Sequence, residues 1–268
     1  MTERILITGA AGKIGTLLRQ SLRRPGRLLL LLDVVPQSDL GDGEEAELII
    51  ASIADQEATD RACQGVDAVI HLGGISGGGA TWQEYLDVNV GGTHVVFEAA
   101  RRSGVKKVIV ASSNHAVGFH PIVEGETVPD YLFPRPDSYY GLSKVVGEAL
   151  GSLYHDRYGI DVICLRIGSY LERPTAPRNR WSWLSPGDCV RLFEAAIAAP
   201  AAGFRIVWGV SANARGFVSL AEGVAIRYVP QDDAEVYVEG LGDAEPDGSW
   251  AGAFIGGPFT APGFDHET

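Results

Sequence analysis

The sequence predicts an α/β protein, a parallel sheet covered by helices on both faces. Three observations carry this. Short runs rich in Val, Ile and Leu recur at residues 4–8, 27–33, 46–50, 67–72, 106–112 and 161–167. Stretches with 3.6-residue apolar spacing lie between them. The runs are nearly continuous rather than alternating, as expected of strands buried on both faces, and strand–helix alternation at this spacing favours parallel pairing.

The first strand, Arg4–Thr8, runs straight into TGAAGKIG at residues 8–15, with glycines at 9, 12 and 15. A helix follows in which Ile14, Leu17, Leu18, Ser21 and Leu22 share one face. Gly9 suits a tight turn, Gly12 lets the backbone approach a pyrophosphate, and Gly15 lets the helix pack on the sheet. The diphosphate then meets the positive end of the helix, among unpaired N–H groups. The second strand ends in Asp33. A carboxylate there accepts hydrogen bonds from both hydroxyls of an adenosine ribose and repels a 2′-phosphate, so NAD is the expected cofactor; the plainer alternative is a solvated strand-end acid. The third strand is Ala46–Ile50. The fourth, Asp67–Leu72, leads into HLGGIS at residues 71–76, where Gly73 and Gly74 let backbone pass close to a cofactor. Asn89 in the next helix reads as a backbone brace or as an ordinary polar helix residue. Strand, glycine motif, helix, strand and acid in this order predict a Rossmann-like doubly wound sheet.

The fifth strand, Lys106–Ser112, runs into Ser113, Asn114 and His115. A hydroxyl there can bond a substrate oxygen that loses its proton. Residues 140–144 read YGLSK, so Tyr140 and Lys144 fall on one face of a helix, with Asp137 as its expected N-cap. A phenol normally titrates near pH 10. A neighbouring ammonium is expected to lower that value and make Tyr140 a base. The sixth strand is Asp161–Ile167.

Beyond Ile167 the pattern loosens. Residues 168–186 hold Pro, Arg and two Trp without a period, which reads as a functional loop. A helix over 187–198 and a strand over 205–209 follow. The expected organisation is one domain over 1–240 with a substrate loop at about 168–186 and a small C-terminal substrate-binding lobe. A Gly/Pro-rich tail over 241–268 is expected to be loosely ordered or packed on another subunit.

The net charge is −12, which argues against nucleic acid and anionic membranes as partners. No apolar run is long enough to span a bilayer. Cys63, Cys164 and Cys189 lack metal-like spacing and read as reduced thiols of a cytoplasmic protein. No metal is expected. His115 has no second ligand at metal spacing, and its plain reading is a hydrogen-bonding group at a strand end.

Together, TGAAGKIG, Asp33, HLGG, Asn89, Ser113 and YGLSK resemble the short-chain dehydrogenase/reductase superfamily, extended epimerase-like branch. HLGGIS, ASSNHAVGFHP, RPDSYYGLSK, RIGS, WLS and GVSANA are similar to the uronate dehydrogenase family over most of the chain. The resemblance implies NAD-dependent oxidation of D-galacturonate or D-glucuronate at C1 to the aldarolactone. It implies a catalytic set of Ser113, Tyr140 and Lys144. It implies substrate contacts from Ser76, Ser113, Asn114, His115, Tyr140 and Ser169, with Arg178 on the carboxylate and Arg173 and Arg180 as rivals. The implied cofactor contacts are Gly9, Ala11, Gly12, Lys13, Ile14, Gly15, Asp33, Ser52, Ile53, Leu72, Gly73, Gly74, Asn89, Tyr140, Lys144 and Ile167. It also implies a homo-oligomer.

Two stretches depart from the family pattern. Ser52-Ile53-Ala54-Asp55 stands where a D-L-x-D-like string is usual, putting an adenine contact in question. Phe217-Val218-Ser219 replaces a Trp-Trp-Asp string, putting the distal wall of the pocket in question. The rivals to a uronate dehydrogenase are an NAD-retaining sugar epimerase or dehydratase, and a non-catalytic dinucleotide sensor.

Overall fold

The computed structural model describes residues 2–241 and 250–265. Along the chain run β1 (Glu3–Thr8), α1 (Lys13–Ser21), β2 (Arg27–Asp33), β3 (Ala46–Ile50), α2 (Gln56–Ala62), β4 (Ala68–His71), α3 (Trp82–Glu84), α4 (Gly92–Arg102), β5 (Lys107–Ser113), α5 (Tyr139–Tyr158), β6 (Asp161–Ile167), β7 (Ser169–Tyr170), α6 (Asn179–Ser182), β8 (Trp183–Leu184), α7 (Pro186–Ala198), β9 (Phe204–Gly209), α8 (Ala221–Ala225) and α9 (Trp250–Ala253). Each strand expected from the sequence is present, its ends within one residue of expectation.

Alternation along the inner strands explains their continuous apolar runs, whereas β3, at the sheet edge, leaves Leu48 and Ile50 exposed, contrary to the expected burial on both faces. Ile5 and Ile7 of β1 join Leu29 and Leu31 of β2 beneath Leu18 of α1 and Leu192 of α7. Leu6 and Leu30 face the other way, with Val69, Val96 and Phe97 and Tyr154 of α5. Both faces are therefore core, and each fully buried Leu or Ile contributes about 1.5–3 kcal/mol.

The strand order is β3-β2-β1-β4-β5-β6-β9, with every pair parallel. From β1 the chain winds outward to β3, then returns to lay β4 on the opposite side of β1. A crevice opens at the carboxyl ends of the strands where the winding reverses.

Two departures from expectation concern the start of α5 and the C-terminal segment. The N-cap of α5 is Ser138, whose hydroxyl accepts the Gly141 N–H at 3.0 Å. Asp137 is not the cap, because its carboxylate is turned onto His115. Residues 250–265, expected to be loose or to face another subunit, lie against their own chain. Ile122 N donates to Ala253 O at 3.0 Å, Ile255 N to His120 O at 3.0 Å, and Gly256 N to Gly118 O at 2.9 Å. Burial of Ile255 beside Val117, Trp181, Trp208 and Val210 holds the segment down. The rest of the expected tail, 242–249 and 266–268, lies outside the described residues.

Candidate active site

The crevice has a volume of about 740 Å³. It is lined by Gly9, Gly12, Lys13, Ile14 and Gly15 after β1, by Asp33 after β2, and by Ser52 and Ile53 after β3. Leu72, Gly73 and Gly74 line it after β4, and Ile167 at the end of β6. Ser76, Ser113, Tyr140 and Lys144 also line it. Ala11, Asn89, Asn114, His115, Ser169 and Arg178 are placed around these residues rather than on the lining itself.

Backbone geometry fixes the glycine turn. Gly9 has φ +69°, and a Cβ there would come within 2.7 Å of Gly73 N. A Cβ at Gly15 would meet the Gly9 and Ala10 carbonyl oxygens at 2.5 and 2.6 Å. The turn must be side-chain-free for α1 to start this close to β4. Gly12 caps α1 without a side-chain bond, and the first turn holds no acid. Its N–H groups and the positive helix end are left for an anion. Asp33 is oriented by two backbone donors, Ala11 N at 2.9 Å and Val35 N at 3.0 Å. This cradle fits a dinucleotide: a diphosphate at α1 and a diol at Asp33.

Asn89 lies in a π-helical stretch, Tyr85–Gly91. Its side chain accepts from Ile75 N at 2.7 Å and donates to Ile75 O at 2.9 Å and to Ser143 Oγ at 3.0 Å. The wide turn brings one amide onto both polar groups of Ile75 and ties that loop to α5. Asn89 is thus a brace behind the lining, and π-turns recur at such places.

Tyr140 and Lys144 lie one turn apart at the start of α5. Burial pushes the Tyr140 phenol up to about 12; a hydrogen bond with Ser113 pulls it down, and the Tyr85 and Asp137 charges add to the rise. Burial brings the Lys144 ammonium down to about 8. Lys144 Nζ lies 5.4 Å from the Tyr140 ring centre and donates to Ala111 O at 3.0 Å. The expectation that this ammonium lowers the phenol's value is therefore corrected: desolvation outweighs an ammonium aimed at a carbonyl.

Beyond Ser113, Asn114 Nδ2 donates to Ile255 O at 3.1 Å, and Arg178 Nη2 donates to the same oxygen at 3.1 Å. Arg178 Nη1 reaches Ser169 Oγ at 3.4 Å. Of its rivals, Arg173 is exposed beside the Tyr237 ring, and Arg180 is buried. His115 Nδ1 meets Asp137 Oδ2 at 2.7 Å, and its ring stacks on Phe259 at 3.9 Å. Phe217 packs on Trp181 at 4.6 Å, Val218 is buried beside them, and Ser219 bonds Asp130. The three do not line the crevice.

Several contributors escaped the sequence reading. Asp265 accepts the Tyr139 N–H at 2.6 Å, and Phe264 stacks on Phe259 at 4.0 Å and fills the space a Gly78 side chain would occupy. Tyr170 and Gly168 line the crevice beside Ile167. Beneath Gly73, the buried His71 bridges Thr8 and Thr93 at 2.8 and 3.0 Å; burial lowers its pKa to about 3 and keeps it neutral.

The family model for NAD dependent epimerase/dehydratase matches residues 5–176. The chain belongs to that family. It is 41% identical to a uronate dehydrogenase of Pseudomonas syringae pv. tomato, over 97% of this chain and 94% of the relative. It is 35% identical to an L-arabinose 1-dehydrogenase (NAD(P)(+)) of Haloferax volcanii, over 88% of this chain and 99% of the relative. Among solved structures it is similar to a uronate dehydrogenase from Agrobacterium tumefaciens, a tyrosine-to-alanine variant complexed with NAD. The TM-score is 0.91 at 32% identity, covering 99% of this chain and 100% of the other. This family member is an NAD-dependent oxidoreductase of Rossmann-like fold. Among the described residues no helix is long and apolar enough to cross a membrane.

Proposed function

We propose that the protein oxidises a hexuronic acid, D-galacturonate or D-glucuronate, at C1 to the aldarolactone. The observation that carries this is Arg178, whose guanidinium reaches Ser169 Oγ two residues past the crevice-lining Ile167. Its planar fork suits a carboxylate. Holding the acid end of the sugar there sets C1 toward Tyr140, and such positioning lowers a barrier by as much as about 7–11 kcal/mol.

Ser113 orients the anomeric hydroxyl, and Tyr140 takes its proton as general base. Lys144 keeps a positive charge beside the phenol and is placed to hold a ribose. Ser76, Asn114, His115 and Ser169 supply polar contacts to the ring. The cradle from Gly9 to Gly15, with Asp33, Ser52, Ile53, Leu72, Gly73, Gly74 and Ile167, holds the dinucleotide. Bound NAD supplies the hydride acceptor and a fixed positive charge near the phenol.

The reading takes residues 1–240 as one domain with a substrate loop at 168–186. It extends to a cytoplasmic homo-oligomer, supported by three buried free thiols and by the exposed Leu153 and Tyr158 of α5.

The test is absorbance of NADH with galacturonate, glucuronate, L-arabinose and nucleotide-linked sugars as substrates. Net NADH with the uronates supports the reading, and its absence with both sinks it, as an epimerase would give none. Arg178→Ala is expected to raise the uronate KM at least tenfold while a neutral aldose changes little. An equal rise for both would remove Arg178 from the carboxylate.

A further inference from the structure

Asp137 is enclosed by glycines. Its carboxylate is fully buried. A methyl group at Gly118 or at Gly256 would overlap Asp137 Oδ2, and one at Gly141 would press on Oδ1. These three positions come from the turn after β5, from the C-terminal segment and from α5. Three separate stretches thus give up a side chain around one acid.

Inside this enclosure the acid has two side-chain donors. Ser138 Oγ bonds Oδ1 at 2.8 Å, and His115 Nδ1 bonds Oδ2 at 2.7 Å. The backbone closes the loop, since Asp137 N donates to His115 O at 3.3 Å. His115 is held on two further sides: its face stacks on Phe259, and its ring meets Tyr140 edge-on with centroids 5.8 Å apart. Among the described residues, Nε2 has no hydrogen-bond partner.

We propose that Asp137 is a positioning residue that sets which nitrogen of His115 carries the proton. An ionised carboxylate only accepts, so whenever the ring is uncharged its proton sits on Nδ1. Nε2 then offers a lone pair on a ring that packs edge-on against Tyr140, suited to a hydroxyl group of the sugar that donates. The stack on Phe259 prevents the ring from turning to present the other nitrogen. The proposal rests on the sugar-oxidising reading of the site, and it adds that one sugar hydroxyl is recognised as a donor through a residue that never touches it.

Asp137→Asn keeps the size of the side chain but lets its amide donate to Nδ1, which moves the ring proton to Nε2 and turns an acceptor into a donor. The expected result is a sugar KM raised about tenfold or more, with kcat changed less and NAD affinity within twofold of the parent. Nitrogen NMR of histidine-labelled protein should report the Nδ1–H form of His115 in the parent and its loss in the variant. A variant with the parent's KM and ring signals overturns the proposal, and so does a NAD affinity that falls in step with the sugar.

His115→Gln gives an independent arm should the asparagine variant fold poorly. It too should raise the sugar KM, and adding Asp137→Asn should raise it no further, because the two act as one unit. Additive effects overturn the proposal. If the parent protein reduces no NAD with any uronate or aldose, the functional reading fails, while the NMR arm still decides whether Asp137 sets the ring.

Discussion

The two sides of the crevice are built from different material. On the cofactor side, consecutive turns after β1, β2 and β4 present backbone: bare glycines, helix N–H groups and one acid held by two amides. On the proposed sugar side, three distant stretches meet through side chains. Asn114 and Arg178 converge on a single carbonyl of Ile255, and His115, Phe259 and Phe264 form a stack. A site made of backbone tolerates changes of side chain except where a glycine permits contact. A site made of side chains can change its ligand by single substitutions while the fold stays the same. The contrast fits a family in which relatives of similar length are named for a uronate and for L-arabinose.

Substitutions at and around the boundary sharpen the contrast. Tyr140→Phe removes the proposed base, and turnover should fall by about 10²–10⁴-fold in an NADH assay. NAD affinity measured by titration should change little, because most of the expected cofactor contacts come from the turns between Gly9 and Gly74. A parallel loss of NAD binding would erase the boundary between the two sides.

Lys144→Met should act on stability, and in a pH-dependent way. Burial lowers the ammonium to about 8, so the folded state binds fewer protons than the unfolded state between about pH 8 and the usual lysine value near 10.4. The folded parent therefore carries a penalty that is complete below pH 8 and fades as the pH rises through that window. Without NAD, the variant should be the more stable at pH 7, by on the order of 3 kcal/mol before the lost bond to Ala111 O is counted. Thermal melts at pH 7 and pH 10 should show the advantage shrinking; a constant difference would count against burial as its cause.

Gly15→Val tests the backbone side. The new side chain would press on the Gly9 and Ala10 carbonyls, at a cost of about 1–3 kcal/mol. NAD affinity and melting temperature should both fall, while sugar KM at saturating NAD should move little.

The same contrast decides what could be read in advance. The inner strands, buried on both faces, leave continuous apolar runs, so their positions were legible to within a residue; the edge strand β3 was found by the same signal although Leu48 and Ile50 are exposed. Gly9, Gly15 and Asp33 were legible because the turn, the helix and the acid are near neighbours in sequence. Tyr140 and Lys144 were legible as a pair on one face, yet four-residue spacing does not reveal that the ammonium donates to Ala111 O. Asp137 and Ser138 are adjacent short polar residues, either able to cap α5, and only the pull of His115 separates them. The C-terminal contribution left no periodic signal. Asp265 reaches Tyr139 across 126 residues, and Ile255 reaches Asn114 across 141. Pairings that long depend on the finished fold.

The wide turn at Tyr85–Gly91 has a consequence for how this chain can change length. A π-turn holds one residue more than the ordinary helical path needs, so a single deletion there would yield a more regular helix. Each residue past the cut would also swing by about 100° around the axis. Asn89 would then leave both polar groups of Ile75 unanswered, and the tie to Ser143 would go with them. Trimming this spot for regularity would loosen the loop that carries Ser76, so the extra residue is an irregularity the site requires.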